Sequence, residues 1–152
     1  NSVNLFAEAL GELISPTDYA RTVKVELSHI GIDSCGITLK DASGLSPANA
    51  VPAEVFTDLL IWAKGHLSDA FVSSLPRGNV DWGLRVYSDH PVLRENVIAK
   101  TGSMSGVRAL AGYLKNQKGE TLAFTILVNN YVGDPVKVQE IIRDLLKDIA
   151  DK

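Results

Sequence analysis

Ile98-Ala99-Lys100-Thr101-Gly102-Ser103 is the stretch around which the rest of the chain can be read. A strand-like run, Glu95 to Ala99, leads into Lys-Thr-Gly, and two hydroxyl residues, Ser103 and Ser105, follow. Two more strand-like runs come next, Val107–Leu114 and Thr121–Asn129. A lysine at this point puts a cation on a sheet edge. Beside it stand a side-chain hydroxyl and a glycine that lets a ligand approach the backbone closely. Such a set suits a ligand that carries a carboxylate and a reactive carbonyl. The plainer reading is that Lys and Thr are ordinary strand-end residues beside a turn glycine, and for a tripeptide alone that reading is the stronger. A second short motif upstream, Ser2-Val3-Asn4, shifts the balance.

Outward from Lys100, the C-terminal third has the clearest pattern. Gln117-Lys118-Gly119-Glu120 is a good hairpin turn between the last two runs. With the Lys100 strand they predict at least three neighbouring strands, most simply antiparallel. Ala109, Ala111 and Tyr113 alternate with Arg108, Leu110, Gly112 and Leu114. Apolar residues on both faces predict a sheet covered on both sides. Asp134-Pro135 opens a last helix, with Val138, Ile141, Ile142, Leu145, Leu146 and Ile149 on the side expected to pack on the sheet.

Upstream, residues 2–15 read as an amphipathic helix with Leu5, Phe6, Ala9, Leu10, Leu13 and Ile14 in one stripe, ended by Pro16. Ser2 stands where an N-cap would, and locally that is the stronger reading. In Ser-x-Asn the two side chains can also emerge together near the positive end of the helix dipole. A hydroxyl and a carboxamide there could handle a proton and a peptide group. Thr17-Asp18 starts a second helix to about Ile30, ended by Gly31 and carrying Val23, Leu27 and Ile30 on its core face. Gly36–Leu39 is a short extended piece, and Asp41 to Pro47 is a loop dense in turn formers. Pro52 begins a third helix to Gly65, with Val55, Phe56, Leu59, Leu60 and Ala63 as its buried face. Residues 66–75 suggest another short helix, and Pro76 to Pro91 an irregular connector. Helices, three strands and one helix make an α+β chain, an α/β sandwich.

Bulk properties exclude several classes. The 152 residues fit one domain, and 45% hydrophobic with 22% charged residues is ordinary for a globule. A net charge of −3 with no basic run argues against nucleic acid as a partner. Cys35 stands alone and is expected as a free, buried thiol. His29, His66 and His90 show no metal-ligand spacing, so neither a metal nor another cofactor is expected.

Four segments carry a resemblance in order. They are Ser2-Val3-Asn4 with Leu-Phe-Ala-Glu after it, Asp41-Ala42-Ser43-Gly44-Leu45-Ser46, Ser74-Leu75-Pro76, and Ala99 to Ser103 through Gly106-Val107 and Ala111-Gly112-Tyr113-Leu114. Together they resemble the D-alanyl-D-alanine carboxypeptidase/endopeptidase family, the class C low-molecular-mass penicillin-binding proteins. The resemblance covers nearly the whole chain and implies part of a β-lactamase/transpeptidase-like fold. It also implies a serine peptidase that cleaves the D-Ala-D-Ala bond of peptidoglycan stem peptides through an acyl-enzyme and is acylated by β-lactams. The location implied is periplasmic or extracellular.

The same resemblance implies residue roles. Ser2 would relay a proton towards the leaving group, and Asn4 would hold the substrate amide and help position a lysine. Lys100 would supply positive potential, and Thr101 would hydrogen-bond the terminal carboxylate. Gly102 would keep the strand edge open. Ser103 would give its N–H to the oxyanion hole and its hydroxyl to the carboxylate.

There are departures. The family's nucleophile lies on a Ser-x-x-Lys upstream of Ser-x-Asn, and no Ser-x-x-Lys occurs in this sequence. Val3 stands where the family often has a polar residue, and Ala42 where it usually has glycine. Residues 1–152 are therefore expected to be the C-terminal portion of a penicillin-binding/DD-peptidase domain, inactive without its upstream half. A non-catalytic stem-peptide-binding module and a β-lactamase relative are the alternatives. Unpartnered faces on such a portion predict self-association or a companion chain.

Overall fold

The computed structural model describes residues 2–14, 18–78, 80 and 82–152, with backbone only at Ser2, Val3, Asn4, Phe6 and Trp82. The chain forms two compact units, Asn1–Val55 and Phe56–Lys152.

The first unit holds α1 (Ser2–Ile14) and α2 (Tyr19–His29). Ser2 is the first helical residue of α1 rather than its cap. Pro16 and Thr17, read as the stop and start between the two helices, lie outside the described residues. Asp18 caps α2 by accepting the Arg21 N–H at 2.9 Å. The chain leaves α2 through Gly31 at φ +79°, where a Cβ would be strained. Thr38 and Ala50 then exchange two backbone hydrogen bonds, at 2.7 and 2.8 Å. That bridge closes the loop of residues 41–47 into a fixed shape. Cys35 is free but exposed, not buried. It sits in a surface turn where Asp33 accepts its N–H, just before Gly36 at φ +78°.

α3 (Ala53–His66) starts immediately after Pro52 and runs into the second unit. Val55, Leu60 and Ala63 are buried, while Phe56, in the first turn, is 37% exposed. α4 (Asp69–Ser74) follows. The stretch read as an irregular connector contains a 3-10 helix, Trp82–Tyr87, and leads into α5 (Pro91–Asn96). It is not a mere link: Leu84 and Tyr87 are core residues, beside Leu93 of α5. Burial pushes the Tyr87 hydroxyl up to about 12.

The sheet has the order β1 (Val97–Met104), β2 (Val107–Lys115), β3 (Thr121–Asn129), antiparallel throughout. β1 differs from the strand expected at Glu95–Ala99. Glu95 and Asn96 end α5, and the strand continues through Lys-Thr-Gly to Met104. Alternation sends Val97 and Ala99 to the same face as Leu110, Leu114, Phe124, Ile126 and Val128. α6 (Pro135–Ala150), capped by Asp134, packs on that face. Its contact line is Ile142, Leu146 and Ala150, spaced by four. Ile141 and Leu145, expected on the same side, are 68% and 47% exposed. They stand about 100° further round the helix than the contact line. On the opposite face Tyr113 donates its hydroxyl to the Leu60 carbonyl at 2.7 Å, and the Lys64 ammonium lies 5.4 Å from its ring centre. Both faces are thus covered at Tyr113, as the apolar alternation implied.

Gly112 makes this packing feasible. A Cβ there would run into the Ile98 carbonyl oxygen and the Ala99 backbone, atoms that cannot yield without parting β1 from β2. Gly112→Ala is expected to lower unfolding stability in urea by more than about 2 kcal/mol. Gly65→Ala, on an open stretch of α3, should instead raise it by roughly 0.5–1 kcal/mol.

Candidate functional site: the outer edge of β1

β1 is the end strand of the sheet, so one of its two hydrogen-bonding sides faces away from β2. Part of that outer side is covered. Pro76-Arg77-Gly78 runs beside the start of the strand, Ala99 N–H donating to Pro76 O at 2.9 Å and Gly78 N–H to Val97 O at 3.1 Å. Gly78 suits the place, since a Cβ would sit tightly, 3.0 Å from the carbonyl oxygens of Leu93 and Arg94. These bonds fix which residues point outward. If Val97 and Ala99 turn their backbone groups to the outer side, so do Thr101 and Ser103, because the direction alternates along the strand. Ile98, Lys100, Gly102 and Met104 turn theirs to β2, opposite Tyr113, Ala111, Ala109 and Val107.

The Lys-Thr-Gly-Ser stretch therefore begins where the cover by Pro76–Gly78 ends. Lys100 is exposed, and its ammonium bends over the rim to donate to the outward Thr101 carbonyl at 2.7 Å. The cation thereby reaches the same edge as the Thr101 and Ser103 amides. Thr101 is half-buried, its Oγ1 lying 3.3 Å from where a Cβ on Gly83 would stand. A Cβ at Gly102 would meet the Ala109 methyl at 3.2 Å, so the glycine keeps that face thin. Ser103 is exposed, one residue before the Met104–Val107 end of the hairpin, where Gly106 takes φ +68°. Chemically the edge offers an ammonium, two hydroxyls and two outward N–H groups. That set can hold an anion and polarise a carbonyl.

Ser2 and Asn4 stand in the first turn of α1, in the first unit, and their side chains lie outside the described residues. The same unit carries the Asp41 loop. Asp41 accepts hydrogen bonds from Ser43 Oγ (2.9 Å), Gly44 N–H (3.1 Å), Ser46 N–H (2.8 Å) and Asn49 Nδ2 (2.6 Å). Glu8 of α1 accepts the Ala42 and Ser43 N–H groups at 3.0 and 2.9 Å. Reading the sequence missed the roles of Glu8, Arg77 and Gly78. Glu8 falls inside the Leu-Phe-Ala-Glu segment and Arg77 and Gly78 directly follow Ser-Leu-Pro, yet nothing local announces a bond across 34 residues. Among the described residues no three His, Cys, Asp or Glu side chains converge as a metal site.

The fold and this edge place the chain among α+β proteins of penicillin-binding-protein and peptidase fold. A crystal structure of penicillin binding protein 4 from Haemophilus influenzae superimposes with a TM-score of 0.86 at 28% identity, over 100% of this chain and 38% of that one. A penicillin G-acylated predatory endopeptidase from Bdellovibrio bacteriovorus shares the fold, with a TM-score of 0.78 at 18% identity over 97% of this chain and 42% of that one. The model of the D-Ala-D-Ala carboxypeptidase 3 (S13) family matches residues 1–151, and the chain belongs to that family of serine carboxypeptidases. It is 39% identical over 135 residues to a D-alanyl-D-alanine carboxypeptidase of Actinomadura, 84% of this chain and 25% of that protein. It is 33% identical over 148 residues to the Haemophilus influenzae carboxypeptidase DacB, 88% of this chain and 30% of that protein. The chain thus spans well under half the length of the curated relatives it matches.

The Asp41 loop makes a testable electrostatic statement. Burial alone would raise the Asp41 carboxyl, but the hydrogen bonds from Asn49, Ser43, Ser46 and Gly44 outweigh it and hold the group below its ordinary 3.8. A carboxylate whose folded value is depressed contributes stability in full above its ordinary value. The contribution is lost as pH falls through the folded value. Asp41→Asn is therefore expected to melt at a lower temperature than the parent chain at neutral pH. Calorimetry should show the gap closing as the pH is taken from about 5 to about 2.

Proposed function

We propose that this chain supplies the C-terminal portion of a serine D-Ala-D-Ala carboxypeptidase/endopeptidase that acts on peptidoglycan stem peptides in the cell envelope and is acylated by β-lactams. The observation that carries the reading is the β1 edge, where a cation, two hydroxyls and outward amides line one strand rim. In this reading the Ser103 N–H is one donor of an oxyanion hole, and Thr101 and Ser103 hydroxyls receive the substrate's terminal carboxylate. Lys100 supplies positive potential at the reacting end. Ser2 passes a proton to the leaving group, and Asn4 holds the substrate amide. The nucleophile and the second oxyanion donor belong to a Ser-x-x-Lys that this sequence does not contain. Losing one such donor costs about 3 kcal/mol of barrier, so half a hole without a nucleophile leaves binding but no turnover.

Relatives support this reading. Haemophilus influenzae penicillin binding protein 4 is known in complex with a β-lactam, and the Bdellovibrio endopeptidase as a penicillin G adduct. Self-association belongs to the same proposal. β3 ends the sheet on its other side, and Ile141 and Leu145 of α6 face solvent.

Labelling with a fluorescent penicillin tests it. The chain alone is expected to carry no covalent label after denaturation. A polypeptide joining it to an upstream Ser-x-x-Lys half should be labelled, and Lys100→Ala in that protein should slow labelling about a hundredfold. A covalent adduct on the isolated chain, or unchanged labelling of the Lys100→Ala protein, would overturn the assignment.

A further inference from the structure

Arg108 is a cation that no ion pair balances among the described residues. It lies on β2 directly opposite Ser103. The outward direction of the Ser103 backbone makes this a pair without mutual hydrogen bonds, the type in which side chains on one face stand closest. Arg108, Thr101 and Ser103 share that face. The residue is half-buried. Its Nη1 donates to the carbonyls of Met104 (3.2 Å) and Val107 (2.9 Å), and its guanidinium stacks 5.6 Å from the centre of the Tyr131 ring. The Tyr131 N–H in turn donates to Gly106 O at 3.2 Å, so the cation is pinned over the hairpin end that follows Ser103. Among the described residues its Nε is buried with no hydrogen-bond partner, and no carboxylate stands within ion-pair reach.

A structural arginine in such a place normally meets an acid, because a partly desolvated charge without one is costly. Here the side chain is held by two carbonyls and a ring, none of which carries a negative charge to offset its own. Lys100 cannot play the same part, since it issues from the other face of β1 and is engaged by the Thr101 carbonyl. We propose that Arg108 is a specificity-determining residue. It is a second, fixed cation that draws a ligand's free carboxylate to the Thr101 and Ser103 hydroxyls. This rests on the reading of the β1 edge as the carboxylate seat, and assigns to it a residue outside the Lys-Thr-Gly motif. The rigid guanidinium sets the preference for a free carboxylate over a neutral end, by charge and without touching the reacting carbonyl.

Solution NMR on this chain tests it, with N-acetyl-D-Ala-D-Ala and its C-terminal amide as probes. The free acid is expected to shift the Arg108 Nε–H signal together with the Ser103 and Thr101 amides, and the amide-capped peptide to bind about tenfold more weakly. Arg108→Gln should remove that tenfold preference, and Arg108→Lys should keep most of it. Amide spectra of each variant check that the sheet is intact. If the acid moves Ser103 but leaves Arg108 Nε unmoved, and Arg108→Gln keeps the preference, the Arg108 proposal fails while the edge survives as the seat. If neither peptide moves Ser103, the seat itself is wrong and the proposal falls with it.

Discussion

One alternation governs the site: along β1, backbone groups turn by turns to β2 and away from it. On the inner side every residue from Val97 to Met104 is in register with β2. On the outer side the Pro76–Gly78 segment bonds the Val97 carbonyl and the Ala99 N–H, and among the described residues the pairing stops there. An unpaired strand edge is ordinarily a hazard, because it templates pairing with other chains. Here the uncovered part, Lys100 to Ser103, turns only Thr101 and Ser103 outward, has a lysine beside them, and runs into a hairpin at once. Among the described residues it leaves two outward amides, those of Thr101 and Ser103.

The rest of the second unit can be understood as support for that rim. The core beneath it, from Leu84 and Leu93 through Leu110 to Leu146, is fully buried, and each such leucine contributes about 1.5–3 kcal/mol. Gly112 lets β1 and β2 approach. Tyr113 ties the sheet to α3 through one buried hydrogen bond. Arg108 and Tyr131 clamp the turn that follows Ser103. In the proposed function, that support is what would keep the rim's amides aimed at a carbonyl oxygen.

Much of this was legible in the sequence because it is periodic or local. Alternation in Arg108–Leu114, the Gln117–Glu120 turn and the Asp134-Pro135 start each encode their own geometry within a few residues. The Lys100 to Ser103 stretch could be recognised as a rim for the same reason. What escaped was set by distant contacts. The true start of β1 depends on α5 ending at Asn96, which Glu95 and Asn96 do not announce. The burial of Leu84 and Tyr87 depends on a 3-10 turn folding back onto β1. The exposure of Cys35, Ile141 and Leu145 reflects where neighbours stop, which no single-chain pattern records. Arg108 looked like one polar member of an alternating strand, and only its lack of an ion-pair partner among the described residues sets it apart.

Residue-resolved amide hydrogen exchange on this chain probes the rim most directly. Slow exchange is expected at Ile98, Lys100 and Gly102, which pair with β2, and at Ala99, which pairs with Pro76, but fast exchange at Thr101 and Ser103. Protection at Ser103 as strong as at Gly102 would mean that the outer edge is already taken, and would contradict an open rim.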